Sequence, residues 1–172
     1  METFTQTKPF VNNHDFELQR KRSLKKLDFN SIDEPIVDII KGFSKRNYCF
    51  TLQSCYGHFI HDFQNNKKNI EPLPLSYSGS EIEYRIAYIA FCIESSEPGK
   101  AFLNKLQKIQ RIDENYIQFG CADWFWQRHL NSFVLQVEPE RFKYEDKIMV
   151  DYAEAVHIEK VRNIFFSRIR QT

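Results

Sequence analysis

Apolar side chains recur at helical spacing in several segments of the chain. One such stripe is formed by Ile32, Ile36, Ile39, Ile40 and Phe43. It predicts an amphipathic helix that begins near Pro35. Similar stripes predict a helix from Pro98 onward and a closing helix over residues 152–169, and residues 14–29 are charged and lack Gly and Pro. We therefore expect four helices, of which the first carries mostly polar side chains.

Shorter apolar segments predict strands over residues 48–53, 59–63, 115–119 and 133–137. The strongest pattern covers residues 81–94, where alternation gives way to a continuous apolar run from Ile86 onward. Such a run is typical of a central strand covered on both faces. Residues 64–80 are rich in Asn, Lys, Pro, Ser and Gly and predict a surface loop. These patterns together indicate an α+β fold with mixed sheets flanked by helices.

The length of 172 residues is that of one domain. It divides into a first half at residues 14–63, the surface loop at 64–80, and a second half at 81–172. Each half has a helix, a strand that ends in Gln (Gln53 and Gln118), and then a segment with Cys and Gly. This similarity raises the hypothesis of an internal duplication, in which two α/β halves would face each other about a central cleft.

Charge and cysteine content narrow the classes of function. The formal net charge is +1, so no strong overall field attracts nucleic acid. The four cysteines do not form a C-x-x-C pair, and residues 1–8 lack the apolar core of a signal peptide. We expect reduced thiols in a cytoplasmic protein. The longest apolar run, residues 86–93, is too short to cross a bilayer, so we expect no membrane association.

A local basic cluster lies in the first predicted helix. Its five cations are Arg20, Lys21, Arg22, Lys25 and Lys26. They are candidate nucleic-acid contacts, because clustered cations on one helix bind phosphates. The alternative is an ordinary solvated helix face.

The first segment with Cys and Gly holds several groups that could bind a ligand. Gly57 permits a close approach of the backbone, and successive amides in such a turn can bind an anion. Ser54, Cys55 and His58 add a hydroxyl, a thiol and a ring that titrates near neutral pH. The alternative is a simple hairpin turn with a buried thiol.

Two further types of chemistry involve the same residues. Cys55 and His58 could form a nucleophile and base pair, although their spacing does not require it. With His61 they could also suggest a metal site. Residues three apart on a strand point to opposite faces, and no further ligand is evident nearby in the sequence. We therefore expect no bound metal.

A second set of candidates comes from the aromatic segment at residues 123–129. It contains both tryptophans of the chain, Trp124 and Trp126, followed by Arg128. Tryptophan and arginine suit stacking on a planar base, although the segment could equally cover the core. Arg85, on the polar face of the strongest strand, is another candidate, which could instead pair with Glu83 or Glu81. Motifs of the P-loop, Rossmann and α/β-hydrolase types are not found.

The order of these features resembles the tRNA wybutosine-synthesizing protein 3 family. Members open with a basic helix, continue to a Ser-Ile-Asp-Glu-Pro-Ile-like segment, and reach a strand with Thr-x-Ser-Ser-Cys-Ser-Gly-Arg. The corresponding stretches here are residues 21–28, 31–36 and 51–58. Four residues match the last motif, namely Thr51, Ser54, Cys55 and Gly57. Gln53 and Tyr56 stand where the family has Ser, and His58 stands where it has Arg.

The resemblance implies a methyltransferase that uses S-adenosylmethionine on a tricyclic guanine derivative in tRNA. His58 replaces a permanent cation by a titratable ring, which puts that substrate and reaction in question. We expect the protein to bind a nucleotide-type ligand, S-adenosylmethionine or an RNA base, in a cleft near residues 54–58. The alternatives are a non-catalytic RNA- or protein-binding module, and a structural homodimer with the tryptophan segment at its interface.

Overall fold

The computed structural model of the protein describes residues 4–64, 66, 70–79 and 81–172. The strands of this part are β1 (Phe4–Thr5), β2 (Cys49–Cys55), β3 (His58–Ile60), β4 (Ile82–Arg85), β5 (Ala87–Ile93), β6 (Ile117–Ala122), β7 (Ser132–Val137) and β8 (Lys147–Val150). They form a five-stranded sheet in the order β1-β6-β7-β5-β2 and a three-stranded sheet in the order β3-β4-β8. All these strand pairs are antiparallel, whereas mixed sheets were predicted.

The helices of the described residues are α1 (Phe16–Lys26), α2 (Val37–Ser44), α3 (Glu97–Gln110), α4 (Asp123–Trp126) and α5 (Tyr152–Ile169). The predicted α+β class is confirmed. Side-chain caps fix where the two long helices begin, because the Ser96 hydroxyl accepts from the Gly99 amide and the Asp151 carboxylate from the Glu154 amide. None of the helices in this part of the chain combines the length and hydrophobicity that a bilayer crossing requires.

The large sheet carries helices on both faces. Helices α2, α3 and α5 contribute to the main core, together with alternate strand residues such as Phe91 and Leu135. On the other face, Phe16 of α1 packs against the Phe50 and Cys92 side chains. Phe125 of α4 packs on this same face. Helices α1 and α4 cover that face only in part, and the candidate site lies there.

The strand predicted over residues 81–94 is two strands in different sheets, and this prediction was wrong in that respect. The chain changes sheet at Ile86, whose amide donates to the Asp146 carbonyl. Tyr84 bridges the break, because its hydroxyl donates to the Val137 carbonyl at 2.8 Å and accepts from the Ala87 amide at 3.0 Å. The apolar run begins at Ile86, where the break lies, and β4 before it alternates buried with more exposed residues. No Gly or Pro separates the two pieces, so this change of pattern was interpreted as one strand.

The second Cys-Gly segment is not a loop. Gly120, Cys121 and Ala122 belong to β6, and β1 pairs with its last residues. Glycine is required there, because a Cβ at Gly120 would lie 2.4 Å from the Thr5 carbonyl oxygen. Cys55 aligns across the sheet with Gln118, near the start of β6, so the two Cys-Gly segments do not face each other. The internal duplication itself stays a prediction.

The ends of some helices and strands differ by a few residues from those predicted. Helix α1 ends at Lys26, and β3 ends at Ile60, where the chain turns at residues 62–63. Within the predicted surface loop, the described residues contain no helix or strand, and residues 65, 67–69 and 80 lie outside the described part. The pattern missed β1, β8 and α4, each of four residues or fewer.

Candidate functional site

The turn between β2 and β3 is fixed firmly to α5. Gly57 has a φ of 89°, and a Cβ at this position would lie 2.8 Å from the Ala87 Cβ. The buried Arg162 donates to the Gly57 carbonyl at 3.1 Å and lies over the Tyr56 ring. Tyr56 also stacks on Phe166. The close backbone approach that Gly57 permits is made by Ala87, at the start of the neighbouring strand.

Three titratable side chains converge beside this turn. One ligand-type atom from each of Asp33, Cys55 and His58 lies within 4.8 Å of the other two. The Asp33 Oδ2 atom accepts from the Tyr56 amide at 2.7 Å and lies 3.7 Å from His58 Nε2. The Gly57 amide points at the Cys55 sulfur at 3.4 Å. Two backbone amides of the turn therefore orient two of the three groups.

The charges of this cluster depend on one another. Attraction to the Asp33 carboxylate, and then to the Cys55 sulfur, raises the pKa of His58 to about 9. Burial alone would raise the pKa of Asp33, but interaction with His58 and the hydrogen bond from Tyr56 outweigh it and lower that pKa. At neutral pH the His58 ring is accordingly protonated and the Asp33 carboxyl ionised.

A pocket of about 380 Å³ opens on the less covered face of the large sheet. Its wall is formed by Phe4, Gln53, Cys55, Arg85, Ile86, Tyr88, Ala122, Phe125, Val134, Gln136 and Asp146. This volume falls in the range of small-molecule sites, which are mostly apolar with a few polar groups that orient the ligand. The predicted candidates Cys55 and Arg85 both reach it.

Two groups on or near this wall are held by other residues. Arg85 forms an ion pair with Glu83 at 3.0 Å, which is the alternative predicted for it. Gln136 donates to the Glu138 carboxyl and to the Lys143 carbonyl. Burial raises the pKa of Glu138 to about 9, so this carboxyl is neutral at physiological pH.

A groove of about 780 Å³ adjoins the pocket along the free edge of β2. It is lined by Gln19, Arg22, Ser23, Lys26, Leu27, Asp28, Ser31, Ile32, Ile40, Thr51, Leu52, Gln53, Ser54, Trp124, Phe125, Arg128 and His129. Gln53 and Phe125 line both cavities. The groove therefore brings candidates from the basic helix, from β2 and from the tryptophan segment to one surface.

The tryptophan segment divides between the groove and the core. Trp124 is 45% exposed, and the Arg128 guanidinium lies 3.9 Å from the centre of its ring. Arg128 also donates to the Trp124 carbonyl at 2.8 Å. Trp126 instead packs edge-on against Phe133, with the Lys8 ammonium over its ring. Of the two tryptophans, Trp124 is the one that the groove presents.

The cations of the basic helix α1 also differ in their surroundings. Arg22 and Lys26 line the groove, and Lys21 and Lys25 are exposed on the same helix. Arg20 is occupied internally, since it donates to the Arg46 carbonyl at 2.7 Å and to the Ser44 carbonyl. The structure thus gives Arg20 a role in holding α1 to the chain after α2.

Asp33 was missed among the candidate site residues. It lies in the segment of residues 31–36 that carries part of the family resemblance, and that was the only signal for it. Asp33 is far from Cys55 in the chain, and only the fold brings its carboxylate to the β2–β3 turn.

No protein-family model and no curated protein matches this chain. Among solved structures, the PH1069 protein from Pyrococcus horikoshii is similar, at 14% identity and a TM-score of 0.50 over 91% of this chain and 93% of that one. A second structure of PH1069 has 13% identity and a TM-score of 0.47 over 95% and 91%. A hypothetical protein from Aeropyrum pernix has 12% identity and a TM-score of 0.37 over 80% and 90%. At such identity the first likeness indicates a shared fold and says nothing of function.

Proposed function

We propose that this protein binds RNA in the groove along β2 and a nucleotide-type cofactor, S-adenosylmethionine, in the adjoining pocket, as an RNA methyltransferase of the kind it resembles. The observation that carries the proposal is the composition of the groove. Arg22, Lys26 and Arg128 supply cations for phosphates, and the exposed Trp124 supplies a face for a base.

The adjoining pocket supports the cofactor half of the proposal. Its apolar wall includes Phe125 and Val134, and its amide side chains are Gln53 and Gln136. Such a mixture suits an adenine ring and the polar groups around it. Because Gln53 lines both cavities, a ligand in the pocket would lie next to a base in the groove. Methyl transfer needs this proximity.

The protein's place in the cell is part of the same proposal. The four cysteines, Cys49, Cys55, Cys92 and Cys121, are all free thiols. Free thiols are typical of reducing compartments. A cytoplasmic site of action also fits a tRNA substrate.

The RNA half is tested by filter binding of bulk tRNA over a range of salt concentrations. We expect tight retention at low salt, and an Arg22→Ala/Lys26→Ala variant should flatten the salt dependence by about 2 in log-log slope, about 1 for each cation that no longer meets a phosphate. The matched control is Lys105→Ala/Lys108→Ala, two exposed cations of α3 on the opposite face of the sheet. Equally weakened binding in both variants, or no retention of the unchanged protein, would contradict the proposal.

The cofactor half has a separate test. Isothermal titration with S-adenosylmethionine should show binding that a Gln53→Ala variant weakens, since Gln53 lines the pocket. Transfer of a labelled methyl group to bulk tRNA should then follow. Absence of heat at millimolar ligand rules out the cofactor while leaving RNA binding in place.

A further inference from the structure

We propose that Asp33, Cys55 and His58 form a binding site for a zinc-type divalent cation beside the pocket of about 380 Å³. The sequence predicted no metal, because His58 and His61 would point to opposite faces of a strand and no further ligand beside Cys55 was evident. The fold supplies the missing third donor, Asp33. The inference does not depend on the proposed RNA or S-adenosylmethionine binding.

The distances fit coordination better than direct hydrogen bonding. His58 Nε2 and Asp33 Oδ2 are 3.7 Å apart, which is beyond the usual hydrogen-bond range. Ligand atoms on a tetrahedral zinc ion lie about 3.3 to 3.6 Å from one another, given metal–ligand bonds of about 2.0 to 2.3 Å. All three donor atoms lie within 4.8 Å of one another, so small side-chain movements bring them to one ion.

The arrangement of the three side chains also distinguishes a metal site from a catalytic Cys–His–Asp triad. In a Cys–His–Asp triad, one ring nitrogen faces the thiol and the other faces the carboxylate. Here a single nitrogen of His58 lies within 4.8 Å of both the Cys55 sulfur and an Asp33 oxygen. One atom from each residue thus points toward a shared centre, as ligands of an ion do.

The surroundings provide the support that metal ligands need. The Tyr56 amide orients the Asp33 carboxylate, and the Gly57 amide points at the Cys55 sulfur. Such outer contacts hold ligands in place and modulate the metal. A sulfur, an imidazole and a carboxylate together favour zinc over magnesium or calcium, which prefer oxygen ligands alone.

Three protein ligands leave one position of a tetrahedral ion for water or a bound molecule. Of the three ligands, Cys55 lines the pocket of about 380 Å³, so an ion held by its sulfur would lie beside the pocket. The site therefore belongs to the class that presents a metal to a ligand. It differs from a closed structural site, which takes a fourth protein ligand.

The experiment is a titration of the reduced, metal-free full chain with Co²⁺, followed by displacement with Zn²⁺. Binding must release the proton that His58 holds in the metal-free chain, because histidine ligates a metal as the neutral ring. We expect one equivalent to produce a sulfur-to-cobalt charge-transfer band in the near ultraviolet, which Zn²⁺ then removes. Zn²⁺ should also raise the midpoint of thermal unfolding, because a ligand that binds the native state stabilises it. If the unchanged protein shows neither the charge-transfer band nor the higher unfolding midpoint, the proposal is overturned, whatever the variants do.

Variants then assign the ligands. Cys55→Ala should abolish the charge-transfer band. Asp33→Asn and His58→Gln should each weaken metal binding by more than about tenfold, because loss of an outer contact alone already weakens it by about that much. Asp62→Asn and His14→Gln change exposed residues of the same types and serve as controls. Circular dichroism checks that each variant is folded. A band that persists in folded Cys55→Ala, or that is also absent from the controls, overturns the assignment.

Discussion

Gly57 is held in a backbone conformation that residues with a side chain rarely adopt. Its φ is 89°, and a Cβ would lie 2.8 Å from the Ala87 Cβ. Gly57→Ala should therefore lower the free energy of unfolding by about 1 to 3 kcal/mol, measured by urea denaturation. Gly42→Ala is the matched control, because Gly42 lies in α2 with open space around it. Gly42→Ala should raise the free energy of unfolding by up to about 1 kcal/mol. Equal effects of the two substitutions would contradict the backbone conformation described for Gly57.

Glu138 makes the stability of the protein depend on pH. Burial raises the pKa of its carboxyl from 4.5 to about 9. Between these two pH values the folded state therefore holds a proton that the unfolded state has released. Stability contributed by this proton is present below pH 4.5 and is lost as the pH rises toward 9.

Glu138→Gln should remove this dependence. Its amide oxygen can still accept from Gln136, and it has no charge to bury. The variant should gain stability over the unchanged protein between pH 5 and pH 9, by at most about 1.4 kcal/mol per pH unit. Thermal unfolding at several pH values measures the difference. A difference that stays constant or shrinks with rising pH would show that Glu138 is ionised in the folded protein.

Periodic patterns identified the elements that bury one continuous stripe. Helix α5 begins and ends where its stripe predicted, and α2 follows Pro35 as expected. The pattern failed where no turn residue marks a structural change. At Ile86 it passes from the alternation of β4 to the continuous apolar run of β5, but without Gly or Pro between them the two were interpreted as one strand. It could not show β6 continuing through Gly120, because that depends on a distant strand, β1.

The same limit applied to the candidate site. Local sequence identified Cys55 and His58, which share one turn, but not Asp33, whose carboxylate reaches that turn only through folding. It also could not separate Trp124 from Trp126, since helical α4 directs the two rings to different surroundings. Contacts between segments far apart in the chain are what a single sequence does not display.

Tyr84 joins the two sheets at the point where the chain passes between them. Its buried hydroxyl bonds to the Val137 carbonyl and the Ala87 amide. Tyr84→Phe leaves both groups buried without this partner and should cost about 1 to 3 kcal/mol of unfolding free energy. Tyr144→Phe, at an exposed tyrosine, is the control and should change little. A decrease below the error of urea denaturation would mean that the bridge does not contribute to stability.

At the scale of the molecule, the large sheet separates packing from the proposed function. One face carries the main core under α2, α3 and α5, and the pocket opens on the other. The groove follows the edge at β2, where α1, residues 124–129 and Ile40 of α2 line it. The formal net charge is only +1, yet Arg22, Lys26 and Arg128 gather on the groove. The positive charge is thus concentrated on one surface, which the net charge of the whole chain conceals.

The two tryptophans allow this asymmetry to be measured. Trp124 is 45% exposed in the groove, whereas Trp126 packs against Phe133. Trp126→Phe leaves Trp124 as the sole indole, and acrylamide should quench its fluorescence more strongly than that of Trp126 in the Trp124→Phe variant. Equal quenching in two folded variants would contradict the described arrangement.

Addition of RNA extends the same measurement from structure to binding. A base stacked on Trp124 excludes the quencher from one face of its ring, so bulk tRNA should reduce acrylamide quenching in Trp126→Phe. The remaining Trp126 signal in Trp124→Phe should be unaffected, because that ring already packs against Phe133. Raising the salt concentration should reverse the protection, since the phosphate contacts proposed for the groove would weaken with salt. Protection of Trp126, or protection of Trp124 that salt does not reverse, would place the RNA elsewhere.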